Sequence, residues 1–177
     1  EATYQPTLRK RLRTWLQSWL ATRYCIHGAT HTILFSPYVA EYFAGSLQGK
    51  RYLIPNPVDP CFFNVVRREE PNRILFLGRL YALKGVKELI RAASKLPLHE
   101  NNQVILGGSL TDPQYVDEIR RLASKLDMVD CVQIRGILST SEVLNELSRC
   151  SCLVLPSYQE TAPMVIQEAM ASGVPVI

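Results

Sequence analysis

Two glutamates near the end of the chain are spaced in a way that suits the binding of a polar ligand. Seven residues separate Glu160 from Glu168, and the segment 152–173 reads as an apolar strand, a polar loop and a helix that ends at Gly173. In an open α/β sheet, ligands bind where the carboxyl end of a strand meets the next helix. Two carboxylates about two helical turns apart can each accept hydrogen bonds from sugar hydroxyls. The pattern therefore suggests a ligand that carries sugar.

A second candidate site is the loop 78–85, which begins and ends with glycine and contains Arg79 and Lys84. Glycine allows a close backbone approach, and the following helix would add the positive end of its dipole. Together these features predict a diphosphate site. The loop matches neither Gly-x-Gly-x-x-Gly nor the Gly-Lys-Ser/Thr phosphate loop. Because two cations in a loop are more often simply solvated, the spacing alone does not decide for phosphate.

The elements that would hold these residues alternate regularly after residue 72. Four short apolar segments read as strands, and a helical segment follows each of them. Asp112 with Pro113, and Ser139 with Glu142, form helix-start signals. This order predicts an α/β fold, a Rossmann-like parallel sheet with helices on both faces. The predicted strands are 73–77, 103–106, 131–134 and 152–155, and the predicted helices are 85–96, 113–126, 140–149 and one carrying Glu168.

The first part of the chain has a different organisation. Apolar residues recur at helical spacing from residue 8 to about residue 23, interleaved with Arg9, Lys10, Arg11 and Arg13. A strand at 32–35, a helix at 37–43 and a strand at 51–54 follow. Three prolines between positions 55 and 60 exclude a helix or a central strand there, which favours a domain boundary.

Composition sets further bounds. The 177 residues are 47% apolar and 20% charged, which is typical of a globular protein. The net charge of +4 allows a local phosphate site but does not indicate nucleic acid as a partner. No apolar run is long enough to span a bilayer, and no signal peptide is visible. The absence of an initial Met and the apolar end at 175–177 lead us to expect an internal fragment.

Cysteine and histidine placement argues against disulfides and zinc. The five cysteines are odd in number and contain no Cys-x-x-Cys pair, so we expect small buried thiols in a reducing cytosol. The three histidines are scattered, and we expect surface or loop positions for them. These residues are Cys25, Cys61, Cys131, Cys150, Cys152, His27, His31 and His99.

Taken together, the motifs resemble those of the group 1 (family 4) retaining glycosyltransferases. The resemblance rests on residues 76–80 with Lys84 and Gly85, on the glycine pair 107–108, on 132–136, and on 156–157 ahead of the two glutamates. Members of this family have the GT-B fold, in which two Rossmann-like domains face each other across a cleft. The resemblance implies that 1–56 ends the N-terminal, acceptor-side domain, that 57–71 is an interdomain linker, and that 72–177 is a donor-binding domain truncated at its C-terminus.

The family also implies roles for individual residues. Arg79 and Lys84 would bind the diphosphate of a nucleotide-sugar donor and stabilise the leaving group, and Glu160 would lie beside the transferred sugar; these three form the catalytic set. Glu168 would accept from ribose hydroxyls, residues 161–165 would present backbone N–H groups, and residues 137–138 would lie near the base. The implied donor-binding residues are Gly78, Arg79, Lys84, Ile137, Leu138, Glu160, Thr161, Ala162, Pro163, Met164, Val165 and Glu168.

Two departures from common transferase patterns bear on the donor and on metals. Where the family often has Phe-Gly after the first glutamate, this chain has residues 161–164 with Pro163, which lacks an N–H group. The number of amides that face the sugar therefore differs. No Asp-x-Asp pair occurs, and Arg79 and Lys84 already supply countercharge, so we expect no metal and no cofactor.

The resulting expectation is an enzyme that moves a sugar, with retention, from a UDP or GDP donor to a carbohydrate or lipid-linked acceptor in polysaccharide or glycolipid biosynthesis. It would act in the cytoplasm, including the inner face of the membrane, and the isolated 177 residues are expected to be inactive. A nucleotide-sugar epimerase of GT-B fold and a non-catalytic nucleotide-binding module are the alternatives. The basic N-terminal helix with Trp15 and Trp19 fits peripheral membrane contact, although packing on its own domain is favoured.

Overall fold

A computed structural model describes residues 8–21, 23, 26–96 and 102–177. The chain forms two compact units, of which one ends at Pro57 and the other comprises Val58–Ile177. Among the described residues, no helix is long and apolar enough to cross a membrane. The interpretation of 57–71 as a linker between domains stays a prediction.

The first unit is built on two short parallel strands, paired from His31 with Lys50 to Leu34 with Leu53. The Ser36 hydroxyl caps the helix between them by accepting from the Val39 N–H group at 3.3 Å. These elements follow the predicted strand–helix–strand order within one residue at each end. They are α1 Leu8–Ala21, β1 His31–Leu34, α2 Pro37–Tyr42 and β2 Lys50–Leu53.

Helix α1 carries an exposed apolar surface. Trp15 is 66% exposed and Trp19 is 49% exposed, and the leucines between residues 12 and 20 are exposed as well. Both interpretations of this helix, packing on a protein surface and lying on a membrane, require a partner for that face. The choice between them stays a prediction.

The second unit contains a parallel sheet of four strands, which are β3 Arg73–Leu77, β4 Gln103–Gly107, β5 Val132–Gly136 and β6 Cys152–Leu153. Their order in the sheet is β5-β4-β3-β6. Each predicted strand of this unit is present, although β6 is only two residues long and β5 extends to Gly136.

Helices cover both faces of this sheet. Successive strand residues point to opposite faces, so Phe76 packs in the core with Ile90 and Ile119, whereas Leu75 packs in a second core with Leu147. The predicted fold class, a Rossmann-like parallel sheet with helices on both faces, is therefore confirmed. The helices are α3 Val86–Ala93, α4 Pro113–Lys125, α5 Thr140–Arg149 and α6 Met164–Ala171, with short 3₁₀ helices at Pro60–Asn64 and Ala82–Lys84.

Both predicted helix-start signals are present. The Asp112 carboxylate accepts from the Tyr115 N–H group at 3.1 Å at the start of α4. At the start of α5, Ser139 and Glu142 form the reciprocal capping box, in which the Ser139 N–H group donates to Glu142 Oε2 at 2.8 Å. These local bonds fix where each helix begins after its strand.

A buried charge pair lies at the amino end of β3. The side chain of Arg73 is 4% exposed and that of Glu146 is 2% exposed, and Arg73 Nη2 lies 2.6 Å from Glu146 Oε2. Arg73 also donates to Gln103, and Arg135 lies 3.4 Å from the same glutamate. Glu146 lies on α5, so this ion pair joins the sheet to that helix. Each of the two buried charges has a partner of opposite sign.

The described cysteines are all free thiols: Cys150 is buried, whereas Cys61, Cys131 and Cys152 are half-buried. Burial raises the pKa values of Cys150 and Cys152 because it disfavours the charged thiolate. Cys25 lies outside the described residues.

The two described histidines lie at the surface or in a turn. His31 is exposed in β1, and His27 is half-buried in a turn. His99 lies outside the described residues.

Candidate functional site

The strand order places a crevice between β3 and β6. From β3 the chain adds β4 and then β5 on one side, and it then returns to place β6 on the other side of β3. The connections that leave the carboxyl ends of β3 and β6 therefore run to opposite faces of the sheet. Such a switch point is where open α/β sheets bind ligands. The loops at this point are 78–85, which was singled out from the sequence, and 154–163, which lies within the segment 152–173 that carries the two glutamates.

The two loops are in direct contact. The Tyr158 N–H group donates to the Leu83 carbonyl at 2.9 Å. Gly85 has φ of 65° and precedes α3, and a Cβ built on it would lie 2.0 Å from the Pro156 carbonyl oxygen. Only glycine suits both the left-handed backbone and this approach. The start of α3 is therefore held against the loop that follows β6.

An ion pair joins the two loops. Lys84 Nζ donates to Glu160 Oε1, and the two side chains are 16% and 25% exposed. The residues are 76 positions apart in sequence, and the fold brings them together at the switch point. The positive charge of Lys84 is thus already neutralised by a carboxylate.

Arg79 is in a different electrostatic state. It is exposed, and its guanidinium carbon lies 5.4 Å from the centroid of the Tyr81 ring. No carboxylate of the described residues forms an ion pair with it. A guanidinium over an aromatic face is attracted electrostatically, so the ring orients Arg79 without cancelling its charge. The loop therefore offers one neutralised cation, Lys84, and one uncompensated cation.

Sequence reasoning did not identify Tyr81 as part of the site. The available signal was its position two residues after Arg79, because alternate residues of an extended segment share a face. Tyr81 does have an extended backbone, with φ of −151°. Tyr158 was also missed, since its contribution is a backbone N–H group rather than a side chain.

Glu168 lies on α6 and is half-buried. Burial raises its pKa above the ordinary value of 4.5, because a low-dielectric surrounding disfavours the carboxylate. Among the described residues, no Lys or Arg forms an ion pair with it. The Ser172 hydroxyl lies 2.9 Å from the Glu168 carbonyl and 3.1 Å from the Phe62 carbonyl, which holds α6 against the first 3₁₀ helix.

The remaining predicted residues line the neighbouring loops. Gly78 follows β3 directly, and its N–H group donates to the Gly107 carbonyl at 2.9 Å. Ile137 is 79% exposed after β5, whereas Leu138 is half-buried. These positions follow the carboxyl ends of β3 and β5, on the same edge of the sheet as the crevice.

The segment 161–165 leads into α6, which begins at Met164. The N–H groups of Met164 and Val165 lie in its first turn, where the helix supplies no carbonyl partner. Thr161 and Met164 are exposed, whereas Ala162, Pro163 and Val165 are half-buried. The segment can thus present amide donors to an acceptor group, with Pro163 as the exception.

The described part of the chain contains no set of side chains suited to bind a metal ion. No group of three or more His, Cys, Asp or Glu side chains there could hold a metal ion. The expectation of a metal-independent reaction itself stays a prediction.

Comparison with known proteins identifies the family. The model of the group 1 glycosyl transferases matches residues 59–177. A D-inositol 3-phosphate glycosyltransferase from Xylanimonas cellulosilytica is 33% identical over 104 residues, which cover 59% of this chain and 25% of that protein. The chain thus spans about a quarter of the length of such curated relatives.

Solved structures agree in fold. WaaG, a glycosyltransferase involved in lipopolysaccharide biosynthesis, superposes with a TM-score of 0.78 at 21% identity, over 97% of this chain and 51% of WaaG. HepE from Anabaena, solved in complex with UDP and glucose, gives a TM-score of 0.72 at 22% identity, over 96% of this chain and 48% of HepE. The parallel sheets flanked by helices are those of GT-B glycosyltransferases. By the family match over residues 59–177, the chain belongs to the group 1 glycosyl transferases.

Proposed function

We propose that this chain is part of a family 4 transferase that moves a sugar, with retention of configuration, from a nucleotide-diphosphate donor and without a metal ion. The observation that carries the proposal is the Lys84–Glu160 ion pair at the switch point of the sheet. It places a cation suited to phosphate directly beside a carboxylate suited to sugar hydroxyls. That neighbourhood matches a ligand in which sugar and diphosphate are joined.

In this mechanism the protein contributes charge stabilisation and positioning. Negative charge builds on the diphosphate as the bond to the anomeric carbon breaks, and Arg79 and Lys84 stabilise it where a metal ion would act in other enzymes. Glu160 accepts hydrogen bonds from the transferred sugar and holds its orientation. The acceptor approaches the anomeric carbon on the face from which the diphosphate leaves. No protein side chain is assigned as a nucleophile.

The nucleoside half of the donor is proposed to lie against α6 and the loop after β5. Glu168 accepts from the ribose hydroxyls, which suits a half-buried carboxylate with no ion-pair partner among the described residues. Exposed Ile137 and half-buried Leu138 offer apolar contact to the base. The complex of HepE with UDP-glucose supports a nucleotide sugar as the proposed ligand.

The acceptor is proposed to be a carbohydrate or a lipid-linked sugar, and nucleic acid is not a proposed partner. A role in polysaccharide or glycolipid biosynthesis, location in the cytoplasm or at the inner face of the membrane, and peripheral membrane contact through α1 stay predictions. The 177 residues alone are expected to show no sugar transfer, because they span only about half the length of the solved glycosyltransferases that they match.

Calorimetric titration of UDP, GDP and ADP into the chain tests the donor site. We expect one nucleotide to bind, and we expect the Arg79→Ala, Lys84→Ala double variant to lose most of that binding because both diphosphate cations are gone. The Arg120→Ala, Arg121→Ala double variant is a charge-matched control, since both arginines lie on α4. Binding that survives the first double variant, or no binding of any nucleotide by the folded chain, would contradict the proposal.

A further inference from the structure

We propose that Glu160 makes the site select a nucleotide that still carries its sugar over the free nucleoside diphosphate. The inference rests on the proposed function and assigns Glu160 a second role, as a competitor for Lys84. It follows from the different states of the two cations in the loop 78–85.

In the structure, the Lys84 ammonium group is not free to bind phosphate, because it is already paired. Its ammonium group donates to the Glu160 carboxylate, and both side chains are largely withdrawn from solvent at 16% and 25% exposure. A diphosphate that binds Lys84 must therefore replace Glu160 as its partner. Arg79, which has no ion-pair partner among the described residues and rests on the Tyr81 ring, can bind phosphate without such an exchange.

The exchange leaves Glu160 without a cation. A partly buried carboxylate that loses its partner is destabilised unless hydrogen-bond donors replace it. A free nucleoside diphosphate brings no donor to this position. A nucleotide sugar brings hydroxyl groups, which can donate to the released carboxylate. The sugar thereby offsets the cost of breaking the ion pair, whereas the product nucleotide does not, and the product is released more easily.

The test compares the affinity of UDP, a ligand without sugar, for the wild-type chain and for Glu160→Gln, with GDP or ADP used instead if the wild type prefers one of them. Glutamine keeps the shape of the side chain but holds Lys84 less strongly. We expect Glu160→Gln to bind UDP roughly threefold to tenfold more tightly, because UDP no longer has to break a half-buried ion pair in order to bind Lys84. Glu160→Ala should shift in the same direction.

Glu118→Gln is the matched control. Glu118 forms an ion pair with Lys87 at 2.7 Å, but its partner lies on α3 outside the loop 78–85. We expect this variant to bind UDP as the wild type does. In a Lys84→Gln background, Glu160→Gln should no longer improve UDP binding, because the competition has been removed. Circular dichroism of each variant checks that it is folded.

Unchanged or weaker UDP binding by both folded Glu160 variants would overturn the inference, because the pair would then be neutral or would position Lys84 for phosphate. A tightening that persists in the Lys84→Gln background would overturn it as well. These results leave the proposed function standing. The proposed function fails separately, if the wild type binds none of the three nucleotides.

Discussion

The carbonyl oxygen of Pro156 occupies the space in which residue 85 would carry a Cβ atom, since a Cβ built on Gly85 would lie 2.0 Å from that oxygen. We expect Gly85→Ala to lower the free energy of unfolding by about 3 kcal/mol, because it combines a left-handed backbone with a clash against rigid main chain. Urea unfolding measures the change. The same variant should weaken nucleotide binding, because Lys84 precedes the displaced residue.

Gly173→Ala is the control for this prediction. Gly173 has φ of 69°, close to the 65° of Gly85, but a Cβ built on it would meet no atom within 4 Å. Its substitution should cost about 1 kcal/mol, the conformational part alone. Equal losses for the two variants would show that the loop after β6 moves away from residue 85 at little cost.

The contact between Arg79 and Tyr81 predicts that the ring, and not its hydroxyl, supports phosphate binding. Tyr81→Phe should keep the affinity of the wild type for its preferred nucleoside diphosphate. Tyr81→Leu should weaken it about twofold to fivefold, the amount expected from one exposed cation–π contact. Titration calorimetry measures both. If the Phe variant loses as much as the Leu variant, the hydroxyl group acts and the cation–π explanation is wrong.

The buried pair of Arg73 and Glu146 should contribute strongly to stability when one partner is removed. Glu146→Ala leaves the Arg73 guanidinium buried without its main carboxylate, and we expect a loss of about 4 kcal/mol in the free energy of unfolding. Glu118→Ala, which breaks an exposed pair with Lys87, should cost less than about 1 kcal/mol. Urea unfolding measures the loss of unfolding free energy in both variants, and equal losses would contradict this prediction.

Glu168 should make stability depend on pH in a defined direction. Its folded-state pKa is raised above the ordinary 4.5 by burial, so folding favours the protonated carboxyl. The stability that the protonated Glu168 carboxyl contributes is fully present below pH 4.5 and is lost as the pH rises through the raised pKa. Glu168→Gln should therefore be more stable than the wild type at pH 7, and this difference in stability should decrease towards pH 4. Thermal unfolding across this range would disprove the assignment if the difference did not change with pH.

Local signals in the sequence were sufficient for the order of the elements. The Ser139–Glu142 capping box and the Asp112 N-cap act within one helical turn, so they could be predicted without the fold, and both are confirmed. Helix α3 ends earlier than expected: it stops at Ala93 rather than at Leu96. Apolar periodicity continues into 94–96, but it does not determine where the backbone leaves the helix.

Contacts between distant residues could not be derived in the same way. The family resemblance grouped Lys84 and Glu160 in one donor site, but it treated each as a ligand contact and did not indicate that they neutralise each other. Arg73 gave no sign of burial, because a buried arginine is recognisable only with its carboxylate partner in place. The pairing depends on the order of the strands, and the order of the strands is a property of the whole sheet.

The pairing of β3 with β6 has a consequence for how the crevice comes into existence during folding. The paired residues of β3 and β4 are about thirty positions apart in the chain. Lys84 and Glu160 are 76 positions apart, so a longer segment must close before their loops meet. Long-range closure is entropically costly and slow, so the crevice is expected to form after the β3–β4 ladder. Pulse-labelled hydrogen exchange should protect the Ile105 amide before that of Val154, which donates to the Leu75 carbonyl. On the ribosome, the chain would gain affinity for its donor only after most of the unit had been synthesised.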